Sequence, residues 1–141
     1  MWRVLMVDRD RTTRDLLTQV LSMDNYQIEV ACQGADALRR LAAKGVDILI
    51  TEVHLADIPA WDLIPEVYRI DPDIPVITMT ADDTRETSMR VRDSGLIFFY
   101  GLKPVNLREM REVVRSAARW RQRQRNNLGI SGGGQGEAVL L

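Results

Sequence analysis

Five short apolar runs separated by helical patterns constrain the fold of this chain more than any other feature. Each run spans about five residues rich in Val, Ile or Leu, as expected for strands covered on both faces. The runs are Arg3–Val7, Gln27–Ala31, Asp47–Ile50, Pro75–Met79 and Leu96–Tyr100. Helical periodicity appears in Thr12–Met23, Ala35–Lys44, Trp61–Ile70, Thr84–Ser94 and Leu107–Arg125. This alternation predicts a parallel sheet with right-handed crossovers, which gives a three-layer α/β domain.

Length and composition fit one such domain. The chain has 141 residues, 45% of them hydrophobic, which is enough for a sizeable core. No apolar stretch reaches the roughly 18 residues of a membrane span, and the N-terminus lacks a signal peptide's apolar segment, so no membrane partner is expected. Cys32 is the single cysteine, so an internal disulfide is excluded and a cytoplasmic location is predicted.

Polar side chains follow the predicted strands at the point where each strand ends. Asp8-Arg9-Asp10 follow the first run, Thr51-Glu52 the third, Thr80 the fourth and Lys103-Pro104 the fifth. In open α/β sheets, ligands bind outside the carboxyl ends of the strands. Helix capping is the alternative explanation for a residue such as Asp10. It does not explain Glu52, because a carboxylate that ends a central strand is costly unless it is paired or used. We therefore predict one site at this edge of the sheet.

The residues at these strand ends resemble the receiver domain of bacterial two-component response regulators, over about residues 2–118. The segments that carry the resemblance are RVLMVDRDRTTRDLL, DILITEVHLADIPAWDLI, IPVITMTA and GLIFFYGLKP. The resemblance implies a flavodoxin-like fold with strand order 2-1-3-4-5 and a non-enzymatic role in phosphorelay signalling. It implies a histidine kinase or another signalling protein as partner. It also implies switch or phosphate-contact positions at Thr80, Tyr100 and Lys103, and a cis peptide bond before Pro104.

Two departures from the family pattern stand at the expected phosphorylation site. Receivers carry two neighbouring acids that hold Mg²⁺ and an Asp that accepts phosphate. With Arg14 setting the register, Asp8 matches the first acid, Arg9 replaces the second, and Glu52 stands at the acceptor position. Mg²⁺ needs near-octahedral ligands at about 2.0–2.1 Å, so an added cation and a longer acid predict weakened Mg²⁺ binding. No other cofactor is expected.

These departures predict an atypical receiver whose site is filled by its own charges. Glu52 is expected to pair with Arg9, with Lys103 or with both, and not to be phosphorylated. The domain would then act through protein–protein contacts. Thr80 and Tyr100, through the resemblance, couple the site to the face of the fourth helix, fifth strand and fifth helix. The same face is predicted to mediate homodimer formation.

Two alternatives remain open from the sequence. One is a working Mg²⁺-dependent receiver in which Asp8, Asp10, Glu52 and the backbone of His54 hold the metal. The other is a flavodoxin-like binder of a small ligand, such as a nucleotide or flavin. The second alternative is weakened because no Gly-rich phosphate loop follows the first strand. The side chain of His54, the single histidine, is not expected to bind metal.

The last helix extends past the end of an ordinary receiver. Leu107, Met110, Val114 and Ala117 form an apolar stripe that can cover the sheet. Arginines then occupy every second position from Arg119 to Arg125, which spreads charge around the helix and makes nucleic-acid binding unlikely. We predict a receiver-like domain over 1–118, a solvated basic extension over 119–127 and a flexible Gly-rich tail over 128–141. Trp120 is predicted to be exposed on the extension and to favour self-association.

Overall fold

Strands and helices alternate along the computed structural model, which describes residues 1–130 and their side chains up to residue 127. The strands are β1 (Arg3–Val7), β2 (Gln27–Ala31), β3 (Ile48–Glu52), β4 (Val76–Thr80) and β5 (Phe99–Leu102). The helices are α1 (Arg11–Ser22), α2 (Gly34–Ala42), α3 (Ala60–Ile70), α4 (Arg85–Asp93) and α5 (Leu107–Ile130). The strands form one parallel sheet in the order β2-β1-β3-β4-β5. The predicted fold class and strand order are confirmed.

Side chains of the central strands alternate between two apolar layers. Leu5 and Leu49 face a layer covered by α2, α3 and α4, whereas Met6 and Ile50 face a layer covered by α1 and α5. All four side chains are fully buried. Because helices cover both faces of the sheet, the strands consist of nearly continuous apolar runs. This is why their positions could be recognised in the sequence.

The predicted bounds of the fifth strand, Leu96–Tyr100, are wrong by three residues at the start and two at the end. Strand β5 begins at Phe99, while Ile97 and Phe98 are buried in the turn that precedes it. The carbonyl of Leu96 accepts a hydrogen bond from the hydroxyl of Tyr68, and Leu96 itself is 66% exposed. Part of the apolar run therefore belongs to residues that are buried in the core before the strand begins. Apolarity reports burial, which need not coincide with strand pairing.

The predicted solvation of the α5 extension is also wrong in part. Trp120 is only 8% exposed and its ring lies 6.2 Å from that of Phe98. Arg121 is 8% exposed, and its Nη2 donates to Asp71 Oδ2 at 2.7 Å. Gln124 is buried as well, so the inward stripe continues along α5 in polar residues. Long polar side chains can cover apolar surface with their stems while their ends find polar partners.

The C-terminal part of α5 contacts residues at the edge of the sheet where the strands begin. Arg125 pairs with the carboxylate of Asp47, and its guanidinium lies 5.2 Å from the ring centre of Trp2. The helix includes residues 128–130, which the sequence placed in the tail; the remainder of that predicted tail, 131–141, lies outside the described residues.

The domain boundaries at 118 and 127 stay predictions. Within residues 1–130, no helix has both the length and the apolar character that a membrane span needs.

Candidate functional site

The carboxyl ends of four neighbouring strands bring the predicted site residues to one edge of the sheet. Asp8 follows β1, Glu52 ends β3, Thr80 ends β4 and Lys103 follows β5. The parallel register places Glu52 beside Met79 and Thr80 beside Leu102, so the carboxyl ends of β3, β4 and β5 lie side by side along the same edge of the sheet. The sheet therefore assembles side chains that are far apart in the sequence.

Lys103 lies between two buried carboxylates. Its Nζ is 2.8 Å from Asp8 Oδ2 and 3.4 Å from Glu52 Oε2. Asp8 is fully buried and Glu52 is 8% exposed. The Lys103-Pro104 bond is cis, as predicted. We call Asp8, Glu52 and Lys103 the charge cluster. It carries two acids and one base, so its formal charge with all groups ionised is −1.

The surroundings of Glu52 raise the pKa of its carboxyl above the ordinary value. Burial raises the pKa of Glu52 and the charge of Asp8 raises it further, while Lys103 only partly offsets these effects. Burial alone would lower the pKa of Lys103, but its contacts with Asp8 and Glu52 outweigh burial and leave that pKa raised. Lys103 therefore stays charged, and its firmest partner is Asp8.

Arg9 does not take part in the charge cluster. It is exposed and forms no ion pair within the described part of the chain. The hypothesis that Arg9 holds Glu52 is therefore wrong, and Lys103 alone supplies the cation. The reason is local geometry: neighbouring side chains at a strand end point to opposite sides, so an inward Asp8 sends Arg9 outward.

Asp10 is used as a helix cap. Its Oδ1 accepts the Thr12 N–H at 3.1 Å, and its Oδ2 accepts the Thr13 hydroxyl at 2.7 Å. The Thr13 hydrogen bond is the main reason that the pKa of Asp10 is lowered. Asp10 N–H in turn donates to Asp8 Oδ1 at 2.9 Å, so both oxygens of Asp8 are engaged.

This donor set is a poor fit for Mg²⁺. Within residues 1–130, no three His, Cys, Asp or Glu side chains are grouped closely enough to hold a metal ion. In the set required by the Mg²⁺-dependent alternative (Asp8, Asp10, Glu52 and the backbone of His54), the carboxylate of Asp10 accepts the hydrogen bonds that cap α1, and Lys103 contacts the other two acids. A hard cation that needs six oxygen ligands finds few free ones here.

Thr80 and Tyr100 connect the site to α4. Thr80 is fully buried, and its hydroxyl accepts the Asp82 N–H at 3.1 Å. The Tyr100 hydroxyl is buried and makes no hydrogen bond to a described residue. Burial raises the pKa of Tyr100, with further contributions from the charges of Asp82 and Glu52. The electrostatic influence of Glu52 therefore reaches this side chain.

His54 and Asp82 form a contact that the sequence did not reveal. His54 Nε2 lies 2.8 Å from Asp82 Oδ2, and the His54 ring meets that of Trp61 edge-on at 5.7 Å. Asp82 also accepts hydrogen bonds from the Thr87 hydroxyl and the Thr84 N–H, which lower its pKa. The contact joins the loop after β3 to the start of α4. No local pattern could have shown it, because the partners are 28 positions apart.

Asp57 holds the other end of the same loop. Its two carboxylate oxygens each accept a backbone N–H at 2.9 Å, from Gly34 and Ala35 at the start of α2. A side chain at Gly34 would crowd Ile58, whose Cβ lies 3.3 Å from the position of an added Cβ. The loop that follows Glu52 is thus fixed to α2 on one side and to α4 on the other.

A family model for the response regulator receiver domain matches residues 4–115 of this chain. The chain is 32% identical over 111 residues to the DNA-binding transcriptional regulator NtrC of Rhizobium meliloti. These aligned residues cover 79% of this chain and 23% of that protein. It is 31% identical over 134 residues to the two-component response regulator ARR2 of Arabidopsis thaliana, covering 93% of this chain and 20% of that protein. The chain thus spans less than a quarter of the length of these two relatives.

Solved structures share the fold. A CheY-like response regulator receiver domain protein from Methanospirillum hungatei superposes with a TM-score of 0.82 at 22% identity, covering 88% of this chain and 98% of that one. The signal receiver domain of an HD domain-containing protein from Pseudomonas fluorescens gives a TM-score of 0.82 at 25% identity, covering 86% and 98%. The matched lengths show that these folds correspond almost from end to end.

Proposed function

Because the chain belongs to the response regulator receiver domain family of two-component signalling, we propose that it is an atypical receiver, in which Glu52 serves as a counter-ion and does not accept phosphate. It would act by binding signalling proteins and would have no catalytic activity of its own. A histidine kinase is one such partner, and a cytoplasmic location remains part of the same proposal.

The observation that carries this proposal is that Glu52 stands at the acceptor position with Asp8 as its one acidic partner in the charge cluster, because Arg9 is exposed and Asp10 caps α1. The ammonium of Lys103 contacts both acids, at 2.8 Å from Asp8 and 3.4 Å from Glu52. A phosphoryl group arriving at Glu52 would add negative charge to a cluster that already carries one excess acid. Phosphoryl transfer depends on metal ions that neutralise developing charge and on exact placement of the nucleophile. The single acid beside Glu52 and the extra methylene of Glu52 argue against both requirements.

Incubation with Mg²⁺ and acetyl phosphate tests the proposal. We expect the intact mass of the unaltered protein to remain unchanged, because Glu52 extends one methylene further than Asp and a displacement of about 1 Å can reduce a rate roughly a hundredfold. The double variant Arg9→Asp with Glu52→Asp restores the family's acids and is expected to show measurable phosphorylation.

The outcome against the proposal is equally clear. A stoichiometric gain of one phosphoryl group by the unaltered protein, lost in Glu52→Gln, would show a working receiver. Titration with Mg²⁺, monitored by tryptophan fluorescence, measures metal binding separately from phosphoryl transfer. Tight metal binding without phosphate transfer would contradict the poor fit of the donor set while leaving the counter-ion role of Glu52 in place.

Homodimer formation through α4, β5 and α5 is part of the proposal, on a different basis from the one predicted. Trp120 is buried and cannot supply the contact. Instead, Met89, Leu96 and Leu102 are each at least half exposed, and they lie in α4, in the turn before β5 and in β5. Exposed apolar side chains on neighbouring elements favour association.

Sedimentation velocity over a range of protein concentrations tests the dimer. We expect the sedimentation coefficient to rise with concentration, and we expect Leu102→Ser to suppress the rise because a polar side chain would be buried in the contact. Leu16→Ser, on the exposed side of α1, is the matched control. A coefficient that is independent of concentration, or an equal effect of both substitutions, would contradict this interface.

A further inference from the structure

The outward side of α5 carries a row of four arginines, with one acid, Glu112, between the first two of them. The arginines are Arg108, Arg115, Arg119 and Arg123, all of which are exposed. None of them forms an ion pair with a residue in the described part of the chain. At 3.6 residues per turn, their spacing of seven, four and four residues keeps them within about 80° of one another around the helix axis. We call this row the outward α5 face.

Docking of α5 separates its basic residues into two groups. The inward group is neutralised: Arg111 binds Asp24 at 2.7 Å, Arg121 binds Asp71 at 2.7 Å, and Arg125 binds Asp47. The outward group forms no ion pair of this kind, although the charge of Arg115 helps to lower the pKa of Asp24. The expectation against nucleic-acid binding was based on the spread of the arginines around this helix, and it did not take into account that those on the inward side are paired. What remains exposed is a one-sided basic surface on a domain that is otherwise acidic.

The geometry of the outward α5 face suits a regularly charged polyanion. At 1.5 Å per residue, Arg108 and Arg123 are separated by about 22 Å along the axis, and Arg115, Arg119 and Arg123 follow one another at about 6 Å. Guanidinium groups donate in a planar fork that matches phosphate oxygens. Duplex nucleic acid presents closely spaced phosphates along its whole length.

The residues between the arginines argue against a protein partner. They are charged or polar and all exposed, namely Glu112, Gln122 and Asn126. The negative charge of Glu112 is outweighed by the four arginines, so the face stays basic. Stable protein interfaces rely on buried aromatic or aliphatic anchors, which this face lacks. Binding of single strands relies on aromatic stacking platforms, which it also lacks.

We propose that the outward α5 face binds duplex nucleic acid through the phosphate backbone, without regard to base sequence. The contact is electrostatic, so it is weak at high salt and strengthens as salt is removed. It involves neither Glu52 nor the charge cluster, and it therefore stands or falls independently of the proposal for phosphorylation.

Fluorescence anisotropy with a labelled DNA duplex of mixed sequence tests the proposal on the full 141-residue chain. Each neutralised phosphate contributes about −0.9 to the slope of log K against log salt, so four contacts predict a roughly hundredfold loss of affinity between about 50 mM and about 200 mM salt. Replacing all four outward arginines by Gln should weaken binding at least about tenfold at low salt and flatten this slope. A duplex of different sequence should bind equally.

A charge-matched variant distinguishes the contribution of the outward α5 face to binding from that of the protein's net charge. Arg11, Arg39, Arg69 and Arg85 are exposed on other elements, and their replacement by Gln changes the net charge by the same amount. We expect this control to bind within about threefold of the unaltered protein. Equal losses in both variants, or no binding at low salt, would overturn the proposal. Binding of poly-glutamate at the outward α5 face with no binding of DNA would overturn it in favour of an acidic protein partner.

Discussion

Replacing Lys103 by Met is expected to lower the free energy of unfolding by about 3–5 kcal/mol at neutral pH, because removal of one partner strands the buried charges of the others. Here the stranded groups are two carboxylates, Asp8 and Glu52, which would face each other without the cation that now lies between them. Met keeps the length and apolar stem of Lys, so the loss isolates the ammonium. Urea unfolding followed by circular dichroism measures the change.

Two control variants identify the cause of that loss. Lys44→Met removes the other lysine of the chain, which is exposed, and is expected to change stability by no more than about 0.5 kcal/mol. Glu52→Gln leaves Asp8 and Lys103 paired and removes the excess acid, so its effect is expected to stay within about 1 kcal/mol. If Glu52→Gln were as damaging as Lys103→Met, Glu52 rather than Asp8 would be the principal partner of Lys103.

The pH dependence of the Glu52→Gln comparison follows from the raised pKa of Glu52. Burial makes the folded-state pKa of this carboxyl higher than its unfolded value. Its contribution to stability is therefore fully present below the unfolded pKa and is lost as pH rises through the folded pKa. The unaltered protein should accordingly lose stability relative to Glu52→Gln over that interval. The opposite trend would show that Lys103 outweighs burial at Glu52.

Replacing Trp120 by Ala is expected to cost about 3–5 kcal/mol, the usual range for truncating a large buried aromatic. Trp120 belongs to the apolar layer covered by α1 and α5, and it packs on Phe98 before β5. Denaturant unfolding followed by circular dichroism is suitable, because the substitution also removes a fluorophore. Arg119→Ala, at the exposed neighbouring position, is the matched control and should be nearly neutral.

Trp120 lies beyond residue 115, where the match to the receiver family ends. A chain cut after residue 118 is therefore expected to lose at least as much stability as Trp120→Ala, although the cut leaves every family motif intact. The cut also removes Arg121 and Arg125, which pair with acids in the rest of the domain. A loss below about 1 kcal/mol in both variants would show that the core ends before α5 does, as the sequence alone suggested.

Local patterns were sufficient to predict much of the site as well as the fold. Asp8, Glu52, Thr80 and Lys103 were predicted to converge because parallel strands end at one edge, and three of them do form the charge cluster. The role of Asp10 as a cap was also visible as an alternative, because Asp before a helix start is a common N-cap. Each of these inferences depends on neighbours within a few positions of the chain.

The sequence by itself determined the order of strands and helices, the two-sided core and the acids at the strand ends, because burial imposes a local period on apolar residues. Only the tertiary structure decided which charges meet. Arg9 points outward while Lys103 reaches Asp8, His54 finds Asp82, and Arg121 turns inward to Asp71. Such pairs join positions far apart in the chain, and a long polar side chain has no local period that shows where its charged end will lie. Their partners are set by how the helices dock on the sheet.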